Sequence, residues 1–418
     1  MIRRSLALSL VVVSAACSSP GPAGGSGGGG GGAPVTGASA KYAFDFTTAP
    51  GQETHWCQYV KLPKAAAGEV LVTGYTWTWT NMHHWALYRT TSDLPAGVSF
   101  DKPFDCFQPG AMKYAQPASL VLAGGATGAQ NFPAGTGFGF KPEDVVIVQA
   151  HTVNTTSTDV HAALDVTFEL GDPAKVQNRL GLIQFYDPYI VVPAHTQAKA
   201  QMRCAVPQDL TVLFATTHEH TRGTGVQAFL DAPDGTLGTS PIVESKDWQH
   251  PPVSQEVLHV KAGSHVRTLC NYLGDAHDAI QGQDKIDNEM CMFIGYYYPV
   301  IAPENGGIEF ENCVQTPVPR GVGDGYGTGA KTCGQSLSCI QACPPGDAPR
   351  PGDGRIDVGK CWQGCMVDSC AGASAPLDDL GFCVQNKCAA ACAPGGDCPT
   401  CVVTNCGKQY SACQAGGC

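Results

Sequence analysis

The chain has 418 residues, room for two or three domains and a substantial core, and only 15% of them are charged. Its 51 glycines and 30 prolines favour many turns over long helices. A formal net charge of -11, with no basic stripe, excludes a nucleic-acid partner, because phosphate binding needs clustered lysine and arginine.

Residues 1–17 read as an export signal: "MIRR" is the positive start, "LALSLVVV" a short apolar core, and "SAAC" a run of small residues ending at Cys17. That core is too short to cross a bilayer as a stable helix. Small residues running into a cysteine resemble a bacterial lipobox, which makes Cys17 the lipidated first residue of an envelope-anchored protein, with Ser18 leaning to the outer membrane. The lipid would be the only membrane contact. Plain secretion with Cys17 removed is the alternative. The Gly/Ser-rich residues 18–40 form a flexible tether under either reading.

Residues 41–316 are predicted to be all-β. "VTGYTWTWT" (72–80) alternates, with Tyr75, Trp77 and Trp79 on one face and threonines on the other. "VVIVQAH" (145–151), "LTVLFATTHEH" (210–220), "EVLHVKAGSHVRTLCNYL" (256–273) and "MCMFIGYYYPV" (290–300) are similarly rich in β-branched and aromatic residues, with Gly/Pro/Asp breaks between them. Short strands at this spacing suggest sandwiches or jelly rolls. The length suits two, divided near "LGDPAKVQN" (170–178) into 41–173 and 174–316.

A linker, 317–332, leads to a Cys-rich module, 333–418, that holds 14 of the 21 cysteines. In an exported chain disulfides are their expected use. The module repeats itself: Cys333, Cys339, Cys343, Cys361, Cys365 and Cys370 are echoed by Cys383, Cys388, Cys392, Cys398, Cys401 and Cys406. Cysteines four apart share a helix face, so each copy is predicted as a helical hairpin pinned by cross-links. Zinc at Cys398 and Cys401 is the rival reading, from their ligand-like spacing.

The chain has 12 histidines. His83 and His84 are adjacent in "TNMHHWALYR", although neighbours on a regular strand point to opposite faces. A twist or bulge there lets both reach one ion. His151 ends an apolar strand. His218 and His220 lie two apart, on one strand face with Val212, Phe214 and Thr216, a spacing at which two imidazoles converge on one metal. Met290 stands next to Cys291. His55, His161, His195, His250, His259, His265 and His277 read as ordinary core or surface residues.

In order and spacing, "ETHWCQYVKLP" (53–63), "HHWALYR" (83–89), "VQAHTVN" (148–154), "HEHTRG" (218–223) and "NEMCMFIGYYYP" (288–299) resemble the copper type II, ascorbate-dependent monooxygenases, the family of peptidylglycine hydroxylating monooxygenase and dopamine β-monooxygenase. The resemblance covers about 41–316. It implies a mainly β chain of two tandem jelly-roll-like sandwich domains, each holding one copper, followed by the small disulfide-rich helical module. His83, His84 and His151 match the ligands of the electron-transfer copper. His218, His220 and Met290 match those of the oxygen-activating copper. It also implies disulfides Cys57–Cys106, Cys204–Cys313 and Cys270–Cys291. The implied activity is hydroxylation of a C–H bond of a small molecule with O2 and ascorbate or another one-electron reductant.

Peptide-amidating members hold the substrate carboxylate with an arginine just before the His-x-His pair and with an asparagine and a tyrosine just after the methionine. Thr216, Met292 and Ile294 stand at those places here, so peptide amidation is not expected; a neutral or hydrophobic substrate is, or an amine held by a carboxylate elsewhere. Two other functions fit the sequence. One is a copper-binding envelope protein without turnover; the other is a surface adhesion protein acting through the Cys-rich tail, for which the residues name no partner.

Overall fold

Runs of β-branched and aromatic residues fold here as strands, since such side chains suit a pleated, half-buried surface. The structure, a computed structural model, describes residues 39–63, 69–82, 84–90, 94, 98–100, 102–106, 115–116, 127–141, 144–187, 189–249, 251–282, 288–300, 329–344, 359–388, 391–392 and 396–418. Cys17, His83 and Cys313 lie outside the described residues.

The first strands are β1 (Ser39–Thr48), β2 (Glu53–Lys61), β3 (Val70–Thr80), β4 (His84–Thr90), β5 (Phe104–Asp105), β6 (Ala115–Gln116), β7 (Thr127–Asn131), β8 (Thr136–Phe140), β9 (Val145–Val153), β10 (Val160–Leu170) and β11 (Asn178–Arg179). β1, β10, β3, β8 and β11 make a six-stranded sheet with β7 paired to β3, and β5, β2, β9, β4 and β6 make a five-stranded one. Phe44, Tyr75, Leu164 and Phe168 of the first sheet share one buried core with Trp85, Leu87, Val148 and Ala150 of the second.

Then follow β12 (Gly181–Tyr186), β13 (Val191–Val192), β14 (Gln197–Ala205), β15 (Leu210–His218), β16 (Gly223–Asp231), β17 (Pro241–Ser245), β18 (Leu258–Val260), β19 (His265–Leu273), β20 (Ala279–Ile280) and β21 (Met292–Tyr298). Sheet β12–β21–β15–β18 shares a second core with sheet β14–β19–β16–β17, and β13 pairs with β20. β21 is buried on both faces. Phe293 and Tyr297 enter the second core, while Met292, Ile294 and Tyr296 join the core of the first two sheets. A strand covered on both sides reads as a continuous apolar run, as this one does. Gly295 lets it lie close to β15, since a Cβ there would stand 3.0 Å from the Phe214 carbonyl oxygen.

One strand departs from the sequence expectation. The register of β15 shifts between Val212 and Phe214, so Val212 enters the second core and Phe214 the first. A bulge inserts one residue and flips the faces that follow it. β15 ends at His218, leaving His220 beyond the strand.

The Cys-rich module is helical: α1 (Cys333–Gln341), α2 (Lys360–Val367), α3 (Ala371–Cys388) and α4 (Cys398–Ala415). A capping box starts α1, with Thr332 and Gln335 exchanging side-chain and backbone hydrogen bonds. Nested bridges pin each hairpin: Cys339–Cys365 and Cys343–Cys361 in the first, Cys383–Cys406, Cys388–Cys401 and Cys392–Cys398 in the second. The outer cysteines of the first hairpin instead bond across the module, as Cys333–Cys413 and Cys370–Cys418. With Cys398 and Cys401 both in disulfides, the zinc reading is overturned.

This module is docked on the β structure. The fully buried Gln363 of α2 accepts from the Ile190 and Gln281 N–H groups at 3.1 and 2.9 Å and donates to the Gln281 carbonyl at 3.1 Å. Tyr189 packs among the module's cysteines, and Lys360 pairs with Asp278. Replacing Gln363 by Leu leaves the Ile190 N–H and the Gln281 carbonyl without these partners, at about 1–3 kcal/mol for each buried group. We expect Gln363→Leu to lose about 3 kcal/mol in denaturant unfolding, and limited proteolysis to release the module sooner than from the unmodified chain.

Candidate metal centre

β9 lies between β2 and β4, and its antiparallel register sets His151 opposite His55 on one side and His84 on the other. Directly paired residues project from the same face. Three imidazoles therefore stand in a row across three strands, while Ala150 and Trp85 on the opposite face enter the core. The His55 ring stacks on His151, with centroids 3.9 Å apart and planes 9° apart; His84 meets His151 edge-on at 4.8 Å. Glu53, two residues before His55 and on its face, accepts from His151 Nε2 at 2.9 Å. Donor atoms of Glu53, His55 and His151 all lie within 4.8 Å of one another. Cys57, next along this face of β2, is bonded to Cys106.

The second cluster forms where β15 ends. His218 pairs with Met292, and the His218 and His220 ring centroids are 5.0 Å apart with planes at 84°. His220 Nδ1 donates to the Asn288 carbonyl at 2.8 Å. The carboxylate of the fully buried Glu289 accepts from the His220 and Arg222 N–H groups at 3.1 and 2.8 Å. Met290, buried, accepts at its carbonyl from the Tyr272 hydroxyl at 2.8 Å. The next residue, Cys291, is bonded to Cys270 and accepts at its carbonyl from the Asp187 N–H at 3.0 Å. Residues 288–291 are thus fastened to the His-x-His turn and to β19. Cys204 is disulfide-bonded as well.

Burial governs the charges here. It pushes Glu219 up to about 9, with the charge of Glu289 adding to the effect. It pushes Glu289 up to about 7 against the pull of its backbone donors. Glu219 is therefore the protonated member of the pair at neutral pH. Burial holds His220 down to about 4, so its imidazole is neutral. A ring whose Nδ1 donates to a carbonyl carries its lone pair on Nε2, the form a metal takes. In the first cluster His151 Nε2–H donates to the Glu53 carboxylate, which leaves the ring's lone pair on Nδ1. Imidazole and thioether are donor types suited to copper.

The residues that match the family's substrate contacts do not meet in an open cleft. Met292 and Ile294 are buried in the shared core, and Thr216 Oγ1 donates to the Pro252 carbonyl at 2.9 Å. Sequence reasoning passed over His55, Glu53 and Glu289. The first two alternate with Cys57 in "ETHWC", which places them on one strand face, but only the register with β9 brings them to His151.

Residues 179–320 match the family of copper type II ascorbate-dependent monooxygenases, C-terminal domain. No curated protein matches the chain in sequence. Among solved structures, PNGF-II is similar with a TM-score of 0.21 at 7% identity, over 58% of this chain and 59% of that one. The exported protein XepA of PBSX gives a TM-score of 0.16 at 8% identity, over 62% of this chain and 86% of that one. The chain thus spans 59% of the length of PNGF-II. Likenesses this slight carry no argument about fold or function.

Replacing Glu289 by Ala leaves two buried backbone donors, the His220 and Arg222 N–H groups, without their acceptor, at about 1–3 kcal/mol for each buried group. We expect Glu289→Ala to lose about 3 kcal/mol in denaturant unfolding of the metal-free protein, and Glu289→Gln, which keeps an acceptor oxygen, to lose less.

Proposed function

We propose, from the match of residues 179–320 to the C-terminal domain of the copper type II, ascorbate-dependent monooxygenases, that the protein is an exported monooxygenase that hydroxylates a C–H bond of a neutral or hydrophobic small molecule. The observations that carry this reading are the row of imidazoles on β2, β9 and β4 and the His218–His220 pair, which Glu289 ties to the residue before Met290. His83, His84 and His151 would hold the electron-transfer copper and His218, His220 and Met290 the oxygen-activating one, two per chain. Copper bound there supplies the reduction of O2 and the attack on the C–H bond, with ascorbate or another one-electron donor as the source of electrons.

The protein's own groups have defined tasks in this scheme. His220 presents Nε2 because its Nδ1–H is held by Asn288. Met290 offers a soft sulfur, which favours Cu(I) over Cu(II). Glu289 sets the distance between the His-x-His turn and Met290. The disulfides indicate an extracellular or envelope location, and no helix among the described residues is long and apolar enough to cross a membrane. Cys17 would supply the lipid anchor, and 41–173 and 174–316 would be the two copper domains.

Loading the full chain with Cu(I) under anaerobic conditions is expected to give two coppers per chain and a copper–sulfur contribution in X-ray absorption. In Met290→Ala that contribution should vanish and one copper should bind at least tenfold more weakly. A wild-type chain that takes up no copper, or an unchanged sulfur signal in the variant, overturns the assignment.

A further inference from the structure

Donor atoms of Glu53, His55 and His151 gather within 4.8 Å of one another, and the His84 ring meets His151 edge-on. We propose that His55 is a further imidazole ligand of the first copper, and that Glu53 is the carboxylate that orients His151 toward it. The proposal rests on the monooxygenase reading for the identity of the metal. The convergence of donors comes from the strand register.

His55, His151 and His84 occupy one row of three neighbouring strands and project from one face. His55 is 8% exposed and His151 4%, so the two stacked imidazoles lie largely out of water. The backbone beneath His55 is pinned: its carbonyl accepts from the Cys106 N–H at 2.9 Å, and Cys57, two residues on, is bonded to Cys106. A nitrogen of His55 already lies within 4.8 Å of a nitrogen of His151, and turning the His55 ring about its last torsion re-aims it. That torsion is broad for histidine. Glu53 accepts the Nε2 proton of His151, which raises the basicity of Nδ1 and fixes which edge of the ring faces the ion. Glu53 and His55 belong to one strand face, so a single strand supplies both a ligand and the group that orients its neighbour.

The chemical consequence is directional. An added imidazole and a nearby carboxylate favour Cu(II), whereas the thioether of the second cluster favours Cu(I). Once reduced, the first site is then the better electron donor, and the second the natural acceptor.

The test is Cu(II) loading of the full chain, read by the number of imidazole nitrogens coupled to the unpaired electron in pulsed electron paramagnetic resonance. His55→Phe keeps a ring stacked on His151 but has no donor atom, so a purely packing role would leave the signal unmoved. We expect it to remove one coupled imidazole from the first site and weaken Cu(II) there at least tenfold, with the copper–sulfur signal of the second site unchanged. His55→Ala should behave alike, and His151→Ala should lose the first copper. An unchanged imidazole count and affinity in His55→Phe, with copper lost in His151→Ala, overturns the role of His55 alone. No copper at the first site of the wild-type chain, or full retention in His151→Ala, overturns the monooxygenase reading with it.

Discussion

The two-sided burial of β21 is the constraint on which the rest of this structure depends. Its Tyr296 ring meets Phe132, Phe138 and Phe214 edge-on, with centroids 5.6, 5.0 and 5.7 Å away, and its hydroxyl lies 3.4 Å from that of Tyr75. Such aromatic pairs are worth about 1 kcal/mol each beyond the area they bury. Residues 39–179 and 181–298 are therefore joined by a dry apolar seam. A seam of this kind allows one packing, because interiors as dense as organic crystals do not slide. Since Met292 and Ile294 are spent on the seam, a substrate would have to be recognised by other residues than those at the family's places. Both are in the shared core.

From β21 the order passes outward to the metal ligands. β15 pairs with it, so His218 stands opposite Met292 on the face turned to the first half. Glu289 then ties the turn after His218 to the residue before Met290. The same segment is held from its far side: the Glu289 N–H donates to the Ile280 carbonyl at 2.8 Å, and Gln281 next to it is gripped by Gln363 of the helical module. A disulfide-stapled unit with little core of its own thus ends in contact with the backbone that leads to a soft, weak ligand.

Much of this was legible in the chain. The alternation of Tyr75, Trp77 and Trp79 placed them on the core side of β3, and the doubled cysteine pattern gave two helical hairpins. What escaped has one physical origin: it depends on which strand or helix lies beside which. His55 is 96 residues from His151 in sequence, and only the pairing of β2 with β9 makes them neighbours. The bulge between Val212 and Phe214 has no side-chain signature, so the strand seemed to present Val212 beside Phe214. The repeat showed cross-linked hairpins but not which cysteines pair, and the last turn of α4 draws Cys333 across to Cys413. Gln363 looked like any polar helix residue because its three partners are backbone groups of another element.

The two clusters differ less in their imidazoles than in what holds those imidazoles. His220 is oriented by a carbonyl, a neutral acceptor, inside a region where burial keeps Glu219 protonated. His151 is oriented by the carboxylate of Glu53, whose side chain is 25% exposed and so retains some hydration. A nearby anion stabilises the more highly charged state of a metal, and a dry neutral pocket stabilises the less charged one. The thioether of Met290 acts in the same direction as its dry surroundings, and the imidazole row in the same direction as Glu53. On the proposed assignment, ligand type and the Glu53 carboxylate would act in the same direction at the first cluster and would make it the side from which an electron leaves.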